Sequence, residues 1–150
     1  MKTRGFEICN GYEDKAVLPK RADSGSCGYD FYIISNVDTY IRPNETVKFE
    51  TGIKAYMPKD EVLLMNIRSS MGIKKNLILS NCQGWIDSSF YNNPNNEGNI
   101  CIAITNIGDK TQVILPNARV AQGTFIKYLV ADEDDVVNET RNGGIGSTGI

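Results

Sequence analysis

The feature that most limits this chain is a succession of short β-forming stretches, with no amphipathic run long enough for a helix of three turns. Such stretches occupy Tyr29–Ile34, Thr46–Ile53, Val62–Ile67, Leu77–Leu79, Asn99–Thr105, Gln112–Leu115 and Val120–Tyr128, with Gly, Asn, Asp and Pro between them. Strands this short and closely spaced predict an all-β sandwich or barrel, in a jelly-roll-like arrangement. One helical turn is expected near Met71–Lys74, and nothing longer. At 150 residues, 41% of them hydrophobic, the chain is long enough for a single domain with its own core.

Two segments stand apart. Ser88–Gly98, crowded with Asn, Pro and Gly between two strands, reads as a hairpin with an extended tip. Beyond Tyr128 the chain turns acidic and then glycine-rich, with little left to bury. The expected division is therefore a β-core over residues 1–128 and an arm over residues 129–150. Such an arm is either disordered or ordered by something outside its own core.

Composition narrows the chemistry. The formal net charge is −2 and no basic stripe is visible, so direct nucleic-acid binding is not expected. Phosphate would have to be met by a few placed cations. The sequence has no histidine, which excludes Ser–His–Asp and Cys–His nucleophile systems. A hydrolytic base must then be Asp, Glu, Lys or Tyr. Cys9, Cys27, Cys82 and Cys101 lack CxxC spacing and read as reduced packing thiols of a cytoplasmic protein. Residues 1–11 hold no long apolar run, so neither a signal peptide nor a membrane span is expected. The glycosylation-like triplets at Asn44 and Asn138 are accordingly chance matches.

Two patterns mislead if taken alone. Gly144–Gly149 matches GxGxxG, but a dinucleotide fingerprint needs a strand before it and a helix after it, and only Ile150 follows. No lysine precedes Ser147, so a P-loop fails too. What survives is a set of backbone N–H groups, freed by glycine beside two hydroxyls, that can wrap a phosphate; a flexible tail is the alternative. Asp132–Asp135 offers adjacent acids, which point to opposite faces of an extended chain and read as a solvated run.

Read in order, the chain contains Gly28-Tyr29-Asp30, Arg68-Ser69-Ser70, Gly84-Trp85-Ile86-Asp87-Ser88-Ser89-Phe90, Arg119-Val120-Ala121-Gln122, and Arg141 through Gly149. This series resembles the five motifs of the trimeric dUTPase family, in that family's order, and is nearest to its bacterial and phage-type members. The resemblance runs from about Ser24 to Gly149. It implies a distorted jelly-roll-like barrel whose C-terminal arm reaches a neighbouring subunit, and a homotrimer with shared interfacial sites. It also implies hydrolysis of dUTP to dUMP and pyrophosphate with Mg²⁺, which limits uracil in DNA and supplies dUMP for dTMP synthesis.

Roles follow residue by residue from the resemblance. Asp87 orients and deprotonates the water that attacks the α-phosphorus; taken alone it also reads as a turn-stabilising carboxylate. Phe90, where the family usually has tyrosine, packs on the deoxyribose and excludes a 2′-hydroxyl; taken alone it is a core aromatic. Asn81 contacts uracil, and backbone groups from Gly84 onward, Ile86 included, complete the match to the base edge. Arg68, Ser69, Ser70 and Gln122 contact phosphates, while Arg119 reads as structural. Arg141 reaches the γ-phosphate, and Gly146, Ser147 and Thr148 wrap the phosphate chain. Ile145 stands where phenylalanine usually stacks on uracil, so it covers the base without stacking. Asp30 holds Mg²⁺ through water, although by itself it also suits a turn cap. The related dCTP deaminases carry a catalytic glutamate at the position of Ala103, which disfavours deamination here.

Overall fold

The structure is a computed structural model, and it describes residues 1–136. It is mostly β. In chain order the strands are β1 (Gly5–Ile8), β2 (Lys20–Arg21), β3 (Tyr29–Tyr32), β4 (Thr39–Ile41), β5 (Thr46–Glu50), β6 (Ile53–Tyr56) and β7 (Glu61–Ile67). After the helix α1 (Ser69–Lys75) come β8 (Leu77–Leu79), β9 (Gly84–Asp87), a 3-10 turn at Ser88–Phe90, β10 (Cys101–Asn106), β11 (Gln112–Ile114) and β12 (Arg119–Lys127). The expected helical turn is thus a seven-residue helix, ended by Asn76 in the left-handed region with Lys74 and Lys75 in its last turn.

Among the described residues the strands form four open antiparallel sheets: β2-β3-β12-β7-β9, β5-β10-β8, β1-β6 and β11-β4. No sheet closes on itself, yet all but the outlying β2 drape over a common interior. Phe31, Ile41, Phe49, Ile53, Leu63, Leu77, Ile104, Ile114 and Val120 come from nine different strands and meet in one buried cluster. Alternation produces this, as β10 shows by burying Ile102, Ile104 and Asn106 while the residues between them stay half-exposed.

The expected strand Thr46–Ile53 is broken in two. Gly52 takes a positive φ of 66°, and a Cβ there would sit 2.8 Å from the Tyr12 ring. Buried Thr51 donates its hydroxyl to Ile100 O at 2.7 Å, so the chain turns a corner from one sheet to the next. The Ser88–Gly98 segment also departs from expectation. Its flanking strands do not pair with each other: β9 pairs β7, whereas β10 pairs β5 and β8. The segment is a crossover between sheets, not a hairpin tip.

One polar group sits at the centre of the core. Asn106 is fully buried, its amide donating to Ile41 O (2.9 Å) and Lys110 O (2.8 Å) while its carbonyl accepts from Gly108 N (2.9 Å). The Asn106→Ala variant removes all three bonds, including the one to buried Ile41, and should cost about 1–3 kcal/mol. A urea midpoint unchanged from the parent would contradict this.

Candidate functional site

The site begins with β9, which among the described residues has a ladder partner on one side only, β7. Its other edge therefore presents backbone N–H and C=O groups outward. Beside that edge lies a cleft of about 300 Å³ whose walls include Asn81, Gly84, Ile86, Phe90, Asn95 and Ala103. Four of the residues singled out in the sequence, Asn81, Gly84, Ile86 and Phe90, are thus brought together. Asn81 lies in the turn before β9, and Phe90 closes the 3-10 turn after it with only 8% of its surface exposed.

Gly84 is required at its position. A Cβ there would lie 2.9 Å from Met65 Cβ on β7. Met65 faces Gly84 on one side and Gly123 of β12 on the other, where an added Cβ would lie 2.8 Å from Met65 Sδ. The thioether is flanked by two glycines in register, which seats β9 close against β7. Asp87 ends β9 directly after the cleft-lining Ile86, with extended backbone (φ −70°, ψ 153°), and it is exposed.

A second group forms on the same sheet. Asp30, 8% exposed, lies between two guanidiniums: Arg68 Nε is 3.2 Å from Oδ1, and Arg119 Nη1 donates to Oδ2 at 3.1 Å. Arg68 also donates through Nη1 to Arg119 O at 3.3 Å. Arg119, which the sequence left as structural, is half of the clamp on Asp30. Gln122 pairs with Asp30 across β12 and β3, and its side chain lies over Gly28, where a Cβ would meet Gln122 Oε1 at 2.7 Å. Ser69 and Ser70 are the first two residues of α1 and are exposed. Arg141, Ile145, Gly146, Ser147 and Thr148 lie outside the described residues.

The register fixes how the two groups relate. Asp30, Gln122 and Asn66 form one row across β3, β12 and β7, and Asp87 lies opposite Val62. Directly paired residues share a face, and so do residues an even number apart on one strand. Asp30, Gln122, Asn66 and Asp87 therefore share the outer face of this sheet, together with Trp85, which is 56% exposed. From Val62 to Asn66 is about 13 Å at ~3.3 Å per residue, and from β9 to β3 about 14 Å at ~4.8 Å per strand. Within one chain Asp87 and Asp30 are thus roughly 19 Å apart across the sheet.

Several cleft residues are ones to which the sequence assigns no role. Lys48 and Trp85 line it, as do Asn95, Asn96 and Asn99 from the crossover. Lys48 faces Ala103 across the β5–β10 pair, a proximity set by non-local pairing. The run Asp132–Asp135 is exposed, as expected. Among the described residues no group of three or more Cys, Asp or Glu is arranged to hold a metal ion.

Comparison with known proteins agrees with this geometry. A family model described as dUTPase matches residues 14–149. The chain is 44% identical to the deoxyuridine 5′-triphosphate nucleotidohydrolase of Lactococcus lactis subsp. lactis (strain IL1403), covering 99% of each protein. It is 32% identical to the protein of the same name from Hydrogenobaculum sp. (strain Y04AAS1), over 91% of this chain and 93% of that one. Among solved structures, the crystal structure of dUTPase from Streptococcus mutans aligns with a TM-score of 0.76 at 43% identity, covering 85% of this chain and 98% of that one. The dUTPase from phage phi11 of S. aureus shares the fold, with a TM-score of 0.73 at 18% identity over 91% of this chain and 97% of that one.

The Met65 seat is directly testable. Gly84→Ala should force β9 off β7 and cost about 1–3 kcal/mol by overpacking, read as a lower urea midpoint with an unchanged slope. A variant as stable as the parent would mean that β9 is not seated as described.

Proposed function

Because the chain belongs to the dUTPase family and is a dUTP diphosphatase, we propose that Asp87 is its catalytic base and that each active site is assembled from more than one subunit. The observation that carries the assignment is the grouping of Asn81, Gly84, Ile86 and Phe90 around one cleft, with Asp87 next to Ile86 at the end of the strand that walls it. Uracil enters the cleft. The Asn81 carboxamide offers a donor and an acceptor, and the unpaired edge of β9 at Gly84 and Ile86 offers backbone groups to the base edge. Phe90 packs on the deoxyribose and leaves no room for a 2′-hydroxyl, while the snug wall rejects the methyl of thymine.

A water molecule hydrogen-bonded to Asp87 attacks the α-phosphorus. Its proton passes to the Asp87 carboxylate as the new P–O bond forms, and the bond from the α-phosphorus to the bridging oxygen breaks. Pyrophosphate leaves, and dUMP keeps the attacking oxygen. Because an ordinary carboxylate is a weak base, the gain comes from holding the water in line. The deaminase reading is disfavoured by Ala103, which lines the cleft where that reaction would need a carboxylate, since a methyl group moves no proton.

The phosphates are met by Arg68, Ser69, Ser70 and Gln122, and by Arg141, Gly146, Ser147 and Thr148 of the arm, with Ile145 covering the base. Asp30 Oδ2 accepts a hydrogen bond from Arg119 and Oδ1 is ion-paired with Arg68, which leaves acceptor lone pairs on the carboxylate. One carboxylate with spare acceptor capacity suits Mg²⁺, which binds through its own waters and substrate oxygens rather than in a protein cage. Bound there, the ion would offset negative charge on the triphosphate.

The roughly 19 Å between Asp87 and Asp30 is the support for shared sites. Successive phosphorus atoms are bridged by a single oxygen, so one triphosphate cannot reach both from one chain. A homotrimer that apposes Asp87 of one subunit to the Asp30–Arg68 cluster of another resolves the mismatch. The arm fits the same scheme, since Lys127 to Arg141 spans up to ~45 Å when extended at roughly 3.3 Å per residue. Within each subunit, four sheets around one core are consistent with a distorted jelly-roll-like barrel over residues 1–128. Four free cysteines suit the reducing cytoplasm, where we place the enzyme.

Two measurements test this reading. Pyrophosphate release from dUTP with Mg²⁺ should fall about 10²- to 10⁴-fold in Asp87→Asn while nucleotide binding persists, and dCTP and dTTP should be poor substrates. Mixing unfolded Asp87→Asn and Arg68→Ala chains and refolding them together should restore activity that neither has alone. Failure to complement in well-formed mixed oligomers would count against shared sites.

A further inference from the structure

The Tyr91–Glu97 segment does more than bridge two sheets. Lys54 on β6 is 8% exposed, and its ammonium donates to Glu97 Oε1 at 2.6 Å and to Asn92 Oδ1 at 2.8 Å. Glu97 accepts a further bond from Asn10 N at 3.0 Å through its other oxygen. The Tyr91 hydroxyl donates to Glu7 Oε2 on β1 at 2.6 Å, and its ring centroid lies 5.3 Å from the Lys54 ammonium. Both ends of the segment are therefore tied to the β1-β6 ribbon by charge-assisted contacts.

Inside the segment the bonds converge on Phe90. Asn93, 4% exposed, donates its amide to Phe90 O (2.8 Å) and to Asn96 Oδ1 (2.7 Å). Its carbonyl accepts from Asn95 N and Asn96 N at 3.1 and 3.2 Å. Gly98 adopts φ +88° and lies so close beneath that a Cβ would be 2.8 Å from Phe90 O. The backbone carbonyl of Phe90 is thus held by the segment that follows it, whose own place is set at Lys54. Burial opposes the charge on Lys54, but its hydrogen bond and charge pairing with Glu97 outweigh this and raise its pKa. The same bond holds the Glu97 carboxyl below its ordinary value, so the pair stays ionised at neutral pH.

We propose that Lys54 and Glu97 are positioning residues for sugar selectivity: by anchoring the Tyr91–Glu97 segment to β1-β6, they fix how far Phe90 reaches into the cleft. The inference rests on the reading of Phe90 as the group that excludes a 2′-hydroxyl. The physical reason is close packing. Rejecting one added hydroxyl in an apolar pocket depends on the wall being unable to yield, and a pocket that can shift gives up most of its discrimination. Phe90 is the last residue of a three-residue turn and packs into the core, and the segment that follows adds the Asn93 hydrogen bonds that fix its backbone carbonyl.

The test compares kcat/KM for dUTP and UTP, measured with Mg²⁺, in the parent and in Glu97→Gln, Lys54→Met, Phe90→Ala and Arg4→Met. Arg4→Met is the control: it breaks the two-pronged Arg4–Glu61 ion pair (2.7 and 2.6 Å), a comparable structural contact that does not touch the crossover. Glu97→Gln and Lys54→Met should each lower the dUTP/UTP ratio about tenfold, mainly through gained UTP turnover. Arg4→Met should lower Tm and leave the ratio as it was. A ratio unchanged in folded Glu97→Gln, an equal loss on both substrates, or the same fall in Arg4→Met would each overturn the proposal. Glu97→Gln is isosteric, so the test stands even if Lys54→Met does not fold. If Phe90→Ala leaves the ratio intact, the reading of Phe90 itself fails. If Phe90→Ala collapses the ratio while both anchor variants keep it, only the anchoring role is wrong.

Discussion

Met65 between Gly84 and Gly123 is the contact on which the rest of the arrangement depends. A long thioether opposite glycine on both neighbouring strands lets β9 and β12 close on β7 without leaving a gap. Shifting either strand by one residue would move the side chain opposite Trp85 or Thr124 and turn the sheet's apolar residues outward. With the register fixed, every other placement follows from strand geometry. Asp87 falls opposite Val62, and Gln122 falls opposite both Asn66 and Asp30. The same row that stabilises the sheet holds the proposed base and the proposed phosphate cluster apart within one chain. The proposed oligomerisation would then be a consequence of the register, not an addition to it.

The cleft exists because the chain leaves the five-stranded sheet after β9 instead of turning back on it. A tight hairpin would have paired the free edge of β9 and hidden the backbone groups that a base can use. The crossover avoids this by folding on itself through Asn side chains, with Asn93 supplying bonds that strand pairing would otherwise have supplied. Asparagine suits such a segment because its side chain mimics a backbone turn and tolerates positive φ, as Asn92 does at 54°. The segment is compact for the same reason that it is not a strand.

Much of this was legible in the sequence, and the boundary has a physical cause. Strands with alternating or continuous apolar residues, such as Leu77–Leu79, were read correctly because side-chain period and burial are local properties. The four motifs within the described residues collect on β3, β7, β9 and β12 with the helix that follows β7. What escaped was short or depended on partners far along the chain. The strands β1, β2 and β4 lie among charged and turn-forming residues with no apolar run to mark them, and nothing in SSFYNNPNNEG says which strands the ends of the crossover will join. The break at Gly52 did have a signal, since a glycine inside a strand pattern marks a bend. Lys54 and Glu97 are 43 residues apart, and only the packed fold brings them together.

Electrostatics ties these pieces together at a scale that composition hides. The whole chain carries a formal charge of −2, yet the Asp30 cluster sets two guanidiniums against one carboxylate. The local surplus is positive although the global field is not. A guanidinium has five donors, and Arg68 is held by its ion pair with Asp30 and one hydrogen bond to Arg119 O, so it is positioned without being exhausted. Rigidity achieved before substrate arrives is what makes such a cation effective, because little conformational entropy remains to be lost on binding. Asp30 thus orients the arginines whether or not an ion is present. Its buried carboxylate is tolerated because two cations compensate its lost hydration. A formal charge of −2 gives the surface as a whole no attraction for long polyanions, so in the proposed scheme these few placed donors would serve a short triphosphate.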